Sequence, residues 1–202
     1  MKPFRKNTHP MGRRDVVTTL LEDRKGLLVV AGLGSTAWDV TAAGDTPLNF
    51  PLWGAMGNAA MFGLGLALAQ PRKRVLVITG DGEMLMGMGS LATIGVQQPP
   101  NLAVVVVDNE RYGETGMQAT HTSAGVDLAR VALACGFRAA RVVRAPGQLP
   151  ALRRAIHGGR GPLFAQVKVR AEKIPLVLPP RDGGLLKARF RKALLGEAAD
   201  TD

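Results

Sequence analysis

Two short polar motifs directly follow apolar runs that have the composition of buried β-strands. Residues 75–78 are followed by Thr79-Gly80-Asp81-Gly82, and residues 104–107 are followed by Asp108-Asn109. Because the carboxyl ends of parallel strands meet at one edge of a sheet, the side-chain oxygens of Asp81 and Asn109 can converge there on one cation. Mg²⁺ prefers oxygen ligands and commonly combines a carboxylate with phosphate oxygens of a ligand. The pattern therefore indicates a site for a metal-bound phosphate.

The residues next to Asp81 also favour an anion. Gly80 and Gly82 allow the backbone to approach a ligand closely. The helix predicted to start near Glu83 directs its free amide N–H groups and the positive end of its dipole to the same place. A purely structural interpretation stays open as well, in which Asp81-Gly82 is a turn and Asn109 caps a helix.

Strand-like and helix-like segments alternate along the chain and predict an α/β fold. Strands are expected at residues 27–31, 74–79, 102–108, 139–143 and 163–169. Helices are expected at residues 13–23, from a cap at Ser35-Thr36, and at 55–69, 83–96, 126–135 and 146–157. Residues 44–53 and 109–125 are expected to be loops. Since the strands are almost entirely apolar, we expect an open, mostly parallel sheet with helices on both faces.

The length of 202 residues fits one ordinary domain with an added C-terminal segment. We expect residues 1–170 to form the sheet domain. Residues 171–202 are expected to hold a proline-rich linker and a basic helix that packs on this domain or on a partner.

Composition and charge argue against several functional classes. The chain has a net charge of +10, but residues 26–129 are net acidic at −4, and only 4% of all residues are aromatic. A nucleic-acid-binding role is therefore not expected, because such proteins usually combine a basic surface with stacking aromatic side chains. The single cysteine, Cys135, cannot form an internal disulfide. No apolar run approaches the roughly 20 residues of a membrane span, and the basic N-terminus lacks a signal-type apolar region, so we expect a cytoplasmic protein.

The motifs resemble the diphosphate-binding (C-terminal) domain of thiamine-diphosphate-dependent enzymes, in which Gly-Asp-Gly is followed at a distance by Asn. The resemblance runs from about residue 27 to at least residue 136. Its form is similar to the β subunit of sulfopyruvate decarboxylase and the matching half of phosphonopyruvate decarboxylase. The supporting blocks keep one order along the chain and lie at residues 54–57, 63–69, 80–86, 89–94, 100–102, 108–109, 112–118 and 120–122.

The resemblance implies a role for individual residues. The Mg²⁺ ligands would be Asp81, the side-chain oxygen of Asn109 and the main-chain carbonyl of Arg111. The other residues implied in cofactor binding are Gly54, Met56, Gly80, Gly82, Glu83, Met84, Tyr112 and Gly113. Among these, Gly82, Glu83 and Met84 would offer backbone N–H groups to the diphosphate. Met56 resembles the bulky residue that bends the cofactor, with the carbonyl of Gly54 facing its aminopyrimidine.

The same resemblance implies a two-subunit 2-oxo acid decarboxylase, a thiamine-diphosphate-dependent lyase. Enzymes of this family need a glutamate on a pyrimidine-binding domain to activate the cofactor. None of the six glutamates of this chain matches that position, so no catalytic residue is assigned here. The activating glutamate is expected on an α subunit, in a hetero-tetramer or a larger assembly.

Two departures from the family pattern bear on the substrate. Glu83 stands where a small residue is usual, and Glu114 and Met117 replace small residues beside the expected substrate pocket. A carboxylate would repel a sulfonate or phosphonate group. These departures therefore leave the substrate open. Two alternatives to the decarboxylase also stay open: a subunit of a carboligating, acetolactate-synthase-like enzyme, and, because the glutamate-bearing domain is missing, a catalytically silent nucleotide- or cofactor-binding regulatory module.

Overall fold

Six parallel strands form one sheet in the order β2-β1-β3-β4-β8-β7. The computed structural model describes residues 7–200, with only the backbone of residue 200, so the basic residues 1–6 and residues 201–202 lie outside the described chain. The strands are β1 (Leu28–Ala31), β2 (Asn49–Pro51), β3 (Val75–Gly80), β4 (Leu102–Asp108), β7 (Ala139–Val143) and β8 (Leu163–Lys168). Two further strands, β5 (Arg111–Tyr112) and β6 (Gln118–Ala119), form a small antiparallel hairpin.

Helices cover both faces of the sheet and bury one apolar cluster on each side. One face is covered by α1 (Arg13–Leu21), α2 (Ser35–Ala42) and α7 (Leu149–Gly158). The other is covered by α3 (Ala59–Ala69), α4 (Asp81–Met86), α5 (Ser90–Gln97), α6 (Leu128–Ala134) and α8 (Gly183–Leu195). The central strands β1, β3, β4 and β8 are buried along their whole length apart from Gly80, because helices lie above and below them. This confirms the predicted fold class.

The order of the strands opens a crevice between β1 and β3. From β1 the chain moves outward to β2, then returns past β1 to form β3 on its other side. Helix α2, after β1, therefore packs on one face, and α4, after β3, packs on the other. Ligands of open α/β sheets bind where the strand order reverses in this way, at the carboxyl ends of the strands.

The prediction of a loop throughout residues 44–53 was wrong. Asn49–Pro51 forms the edge strand β2, which pairs in parallel with β1. Proline is tolerated there because an edge strand needs hydrogen bonds on one side only. The long loop predicted at residues 109–125 likewise contains the β5–β6 hairpin and two 3-10 turns, Gly113–Thr115 and His121–Ala124.

Two helix predictions were also wrong in extent. Helix α3 begins at Ala59 rather than at residue 55, because Ala55 and Gly57 have φ values of +52° and +88°, which a right-handed helix excludes. The single helix predicted at residues 83–96 is instead two helices, α4 and α5. They are separated at Gly87, where a β-carbon would collide with the carbonyl oxygen of Gly57.

The C-terminal segment packs on the strand-β2 side of the domain. Residues 171–182 have no regular structure and lead into α8. The indole N–H of Trp53 donates to the carbonyl of Pro180 over 2.8 Å, and Arg189 forms two hydrogen bonds to Asp45, of 2.6 and 2.9 Å. The Phe190 ring meets the edge of Phe50 at 5.3 Å between centroids. The division at residue 170 stays a prediction. Among residues 7–200, no helix is long and apolar enough to cross a membrane.

Candidate cofactor site

A cavity of about 110 Å³ lies at the carboxyl ends of β1, β3 and β4, beside the crevice. It is lined by residues from α1, from the start of α2, from the loop before α3, from the β3–α4 junction and from the segment after β4. These residues are Arg13, Leu33, Ser35, Thr36, Asp39, Met56, Gly80, Asp81, Gly82, Glu83, Val107, Asn109, Arg111, Tyr112, Gly113, Glu114 and Thr115. The fold therefore brings Asp81, Asn109 and Arg111 to one place.

Two of the residues implied in cofactor binding do not line this cavity. Gly54 lies in an exposed bend of the loop before α3, whereas Met56 of the same loop reaches the cavity wall. The side chain of Met84 is buried in the apolar cluster under α4 and is only 2% exposed. Its backbone N–H lies in the first hydrogen-bonded turn of α4, so a contact of Met84 with a diphosphate stays a prediction.

Asp81 is held by two threonine hydroxyl groups. It is the first residue of α4, and its Oδ2 lies 2.5 Å from Thr120 Oγ1 and 3.2 Å from Thr122 Oγ1. Thr122 Oγ1 is also 2.8 Å from Oδ1 of Asp108. Because the Thr122 hydroxyl has one proton, it cannot donate to both carboxylates at once. A proton on Asp81 would satisfy the remaining contact.

Burial raises the pKa of Asp81 to about 7, and the negative charge of Asp108 adds to this effect. Two carboxyl groups thus share a desolvated site, in which both cannot be ionised without cost. A divalent cation bound to Asp81 would remove that cost. Among residues 7–200 no cluster of three or more His, Cys, Asp or Glu side chains could hold a metal. One carboxylate, one amide oxygen and carbonyl or phosphate oxygens are the hard donors that Mg²⁺ takes, so the residues present fit this ion.

Behind Asp81, a buried lysine carries the positive charge that offsets the acidic groups. Lys168 Nζ lies 2.7 Å from Asp108 Oδ2 and 2.9 Å from Glu110 Oε1, and its side chain is 5% exposed. Gln166, two residues earlier on β8, donates to Asp108 Oδ2 over 2.5 Å. Burial alone would raise the pKa of Glu110, but hydrogen bonds from Lys168 and His9 outweigh it and lower that pKa.

The residues that Lys168 contacts lie on either side of Asn109. The Oδ1 of Asn109 accepts a hydrogen bond of 2.9 Å from the backbone N–H of Arg111, and its carbonyl accepts one of 2.8 Å from Asn7. Glu110 adopts a φ of +63°, which is rare for a residue with a side chain. Its ion pair with Lys168 and the hydrogen bond from its N–H to Asp108 hold it in that conformation.

Glu83 turns its side chain inward towards the loop after β1. Its Oε2 accepts a 2.7 Å hydrogen bond from Thr79 Oγ1, whereas its Oε1 is buried without a hydrogen-bond partner. Burial raises the pKa of this carboxyl, and Thr79 and nearby backbone amides offset part of that rise. A β-carbon at Gly32 would collide with the Glu83 carboxyl group, so Gly32 makes room for it.

Glycine at position 82 makes room for an aromatic ring. A β-carbon there would lie 2.6 Å from two ring atoms of Tyr112. Tyr112 and Gly113 both line the cavity, as does Glu114, whose carboxyl group lies against Gly34 at the start of α2.

Sequence reasoning missed several residues of the site. Ser35 and Thr36 were interpreted only as a helix cap, yet they place the N-terminus of α2 at the cavity wall. Thr120 and Thr122 stood in a block that matched the family but had no assigned role. No local signal pointed to Lys168, because its ion pair with Glu110 spans 58 residues of sequence.

Comparisons with known proteins bear on the family of the chain. Residues 33–167 match the family described as "Thiamine pyrophosphate enzyme, C-terminal TPP binding domain". The sulfopyruvate decarboxylase subunit beta of Methanothermobacter thermautotrophicus is 36% identical over 184 residues, which is 91% of this chain and 94% of that one. The phosphonopyruvate decarboxylase of Streptomyces hygroscopicus is 40% identical over 76% of this chain, but the match covers only 38% of that longer protein.

Solved structures show the same fold. A putative thiamin diphosphate-dependent enzyme from Mycobacterium smegmatis superposes with a TM-score of 0.69 at 22% identity, over 81% of this chain and 32% of that one. Benzoylformate decarboxylase from Polynucleobacter necessarius gives a TM-score of 0.67 at 20% identity, over 86% and 36% of the two chains. With the family match and the β-subunit relative, they lead to one conclusion: this chain belongs to the thiamine pyrophosphate enzymes and carries their C-terminal, TPP-binding domain.

Proposed function

We propose that this chain is the cofactor-binding subunit of a two-subunit, thiamine-diphosphate-dependent 2-oxo acid decarboxylase that resembles sulfopyruvate decarboxylase. The observation that carries the proposal is the cavity in which Asp81, Asn109 and Arg111 meet the start of α4. Similarity to a sulfopyruvate decarboxylase β subunit over nearly the full length of both chains supports it.

In this proposal, Asp81, Asn109 and the carbonyl of Arg111 hold Mg²⁺, and the backbone at Gly82 and Glu83 holds the diphosphate. The cavity contains four acidic side chains against two arginines. A diphosphate therefore needs a cation to bind here, because like charges in a partly buried site repel. Bound thiamine diphosphate supplies the electron sink that allows CO₂ to leave a 2-oxo acid.

A partner subunit would supply the glutamate that activates the cofactor. Only two glutamates line the cavity: Glu83, which bonds to Thr79, and Glu114, which lies on an exposed turn. One tryptophan and two methionine side chains are exposed near the loop that carries Met56. They are Trp53, Met86 and Met88, and Met86 is 67% exposed. We define these three as the apolar rim, and infer that it faces the partner, since exposed apolar surface next to an incomplete site favours docking of another chain.

The test is to purify the chain alone and together with the product of the adjacent reading frame. We expect Mg²⁺-dependent binding of thiamine diphosphate by the pair, and CO₂ release from at least one 2-oxo acid in a panel of 3-substituted pyruvates that includes sulfopyruvate and phosphonopyruvate. Asp81→Asn should abolish cofactor binding, whereas Asp127→Asn should not, because Asp127 lies outside the cavity and asparagine can still cap α6.

Other outcomes would select the alternatives. CO₂ release by the chain alone would contradict the two-subunit assignment. Formation of a carbon–carbon bond between two substrate molecules would identify a carboligating enzyme. Cofactor binding without turnover of any 2-oxo acid, even with the partner, would identify a regulatory module.

A further inference from the structure

A second, larger groove lies at the amino ends of β1 and β3, whereas the cofactor cavity lies at the carboxyl ends of the strands. It has a volume of about 550 Å³, against about 110 Å³ for the cavity. Its walls come from three distant parts of the chain: the turn before β1, the turn before β3 and the C-terminal end of α7. The lining residues are Asp23, Arg24, Lys25, Gly26, Leu27, Arg72, Lys73, Arg74 and His157. We call this the basic groove.

The basic groove concentrates positive charge in the part of the chain that otherwise lacks it. Residues 26–129 contain four basic residues, of which three, Arg72, Lys73 and Arg74, lie here. The turn before β1 adds Arg24 and Lys25. The one acidic residue in the lining, Asp23, is 84% exposed in its side chain and faces Arg153 at 3.9 Å. The groove therefore has a positive charge that its own residues do not balance.

Two arginines form a fixed floor whose charge is not neutralised by a bonded carboxylate. The guanidinium of Arg74 donates from Nε to the carbonyl of Ile156 over 3.0 Å and from Nη1 to the carbonyl of Pro100 over 3.1 Å. Arg24 donates to the side chain of Asn49 over 3.0 Å and to the carbonyl of Gly44. Carbonyl partners fix each guanidinium group without cancelling its charge. The nearby Asp45 is itself bonded to Arg189.

The other basic side chains at the rim remain available to a ligand. Within residues 7–200, no carboxylate lies at salt-bridge distance from Lys25, Arg72 or Lys73, and all three are exposed. The two fixed arginines of the floor and the three exposed basic side chains of the rim suit a compact anion with several charges. The described lining contains no Phe, Tyr or Trp, and the His157 ring is bonded through Nε2 to the carbonyl of Leu20 over 2.9 Å. The groove therefore lacks the large aromatic side chains on which nucleic acid bases stack.

We propose that the basic groove binds a compact oligophosphate, such as inorganic tripolyphosphate or the phosphate chain of a nucleoside triphosphate. The recognition is electrostatic and is directed at the phosphate groups. Because the groove and the cofactor cavity lie at opposite ends of the strands, this site goes beyond the proposed function and is independent of it.

The experiment is a calorimetric titration of the 202-residue chain with sodium tripolyphosphate. Mg²⁺ is left out so that the acidic cofactor cavity has little affinity for the anion. We expect saturable binding that weakens with added salt. The triple variant Lys25→Ala, Arg72→Ala, Lys73→Ala should weaken binding by about tenfold or more, since three charge contacts are lost. A parallel titration with ATP distinguishes the sources: affinity equal to that of tripolyphosphate shows recognition of the phosphate chain alone.

A matched control removes the same charge elsewhere. Arg138, Arg141 and Arg144 are exposed and lie at the β7 edge of the sheet. Their replacement by alanine should leave the tripolyphosphate affinity within about twofold of the parent chain when both are measured at about 0.15 M salt, which screens long-range charge effects. Absence of saturable binding, or an equal loss of affinity in both triple variants, would overturn the proposal, because the affinity would then depend on net charge and not on the groove.

Discussion

At the scale of single residues, the candidate site offers oxygen ligands that suit a cation. The same buried carboxylates lower the stability of the fold when no cation neutralises them. Asp81 is 2% exposed and shares one of its two threonine partners, Thr122, with a second buried carboxylate, Asp108. Lys168 balances Asp108 and Glu110 but does not contact Asp81. Within residues 7–200, no positively charged side chain lies at salt-bridge distance from Asp81.

Asp81→Asn should stabilise the metal-free chain above neutral pH. The pKa of Asp81 is about 7 in the folded chain and 3.8 in its unperturbed state. A folded-state pKa above the unfolded one means that this group favours folding below pH 4 and opposes it increasingly as the pH rises through 7. At pH 8 we expect the variant to be more stable by about 1 kcal/mol or more, and at pH 4 the difference should vanish.

Urea unfolding at both pH values measures this effect. The same variant should lose Mg²⁺-dependent binding of thiamine diphosphate. An Asn variant that is less stable than the parent at pH 8 would show that ionised Asp81 is well accommodated without metal.

Lys168→Met should be among the most destabilising substitutions in the chain. The methionine has a similar length but leaves Asp108 and Glu110 buried without their cation, which commonly costs about 3–5 kcal/mol. Lys168→Arg keeps the charge and should recover part of this loss. The free energies of unfolding of the parent chain, Lys168→Arg and Lys168→Met should decrease in that order. A loss below about 1 kcal/mol for Lys168→Met would show that the contacts of Lys168 with Asp108 and Glu110 do not stabilise the fold.

At the scale of secondary-structure elements, the break between α4 and α5 positions the site as much as the strands do. Gly87 ends α4 and touches the backbone of Gly57. This contact fixes the loop of residues 54–58, which carries Met56 to the cavity. A continuous helix through residues 83–96 would leave no place for that loop.

Gly87→Ala should displace this loop, because its β-carbon would overlap a backbone carbonyl that cannot rotate away. We expect a loss of stability of about 1–3 kcal/mol and weaker cofactor binding. Gly89→Ala is the matched control: Gly89 has a φ of −58° and open space around its Cα, so alanine should be neutral or slightly stabilising there. Thermal unfolding of the two variants tests this; equal effects would mean that the Gly57 contact is unimportant.

At the scale of the whole molecule, the cavity lies near exposed apolar side chains, and these are where we propose that a partner subunit docks. Trp53 and Met86 of the apolar rim border the loop that carries Met56, and Met86 contacts Gly57.

Met86→Glu should disrupt assembly with the partner subunit while leaving this chain folded. Met86 is 67% exposed, so its replacement should change the free energy of unfolding by less than about 0.5 kcal/mol. A charge buried in an apolar contact should raise the dissociation constant of the complex at least about tenfold. Leu133→Glu, on exposed α6 surface, is the control, and co-purification of the partner is the measurement. Normal assembly by Met86→Glu would place the interface elsewhere.

The amino-acid sequence determined the parts of this protein that depend on local pattern. The apolar runs specify the central strands, and the residues that follow them, Asp81 and Asn109, necessarily emerge at one edge of a parallel sheet. Spaced motif blocks were enough to indicate the family. These inferences succeed because strand composition and the order of motifs are properties of neighbouring residues.

Only the tertiary structure decided which other side chains complete the site. Thr120 reaches Asp81 across 39 residues, and Lys168 reaches Glu110 across 58. Gly32 accommodates Glu83, and the basic groove joins three segments that have no common motif. The edge strand β2 and the break at Gly87 likewise depend on contacts with β1 and Gly57. Such contacts have no local periodicity, because packing between distant segments, rather than propensity, supplies their free energy.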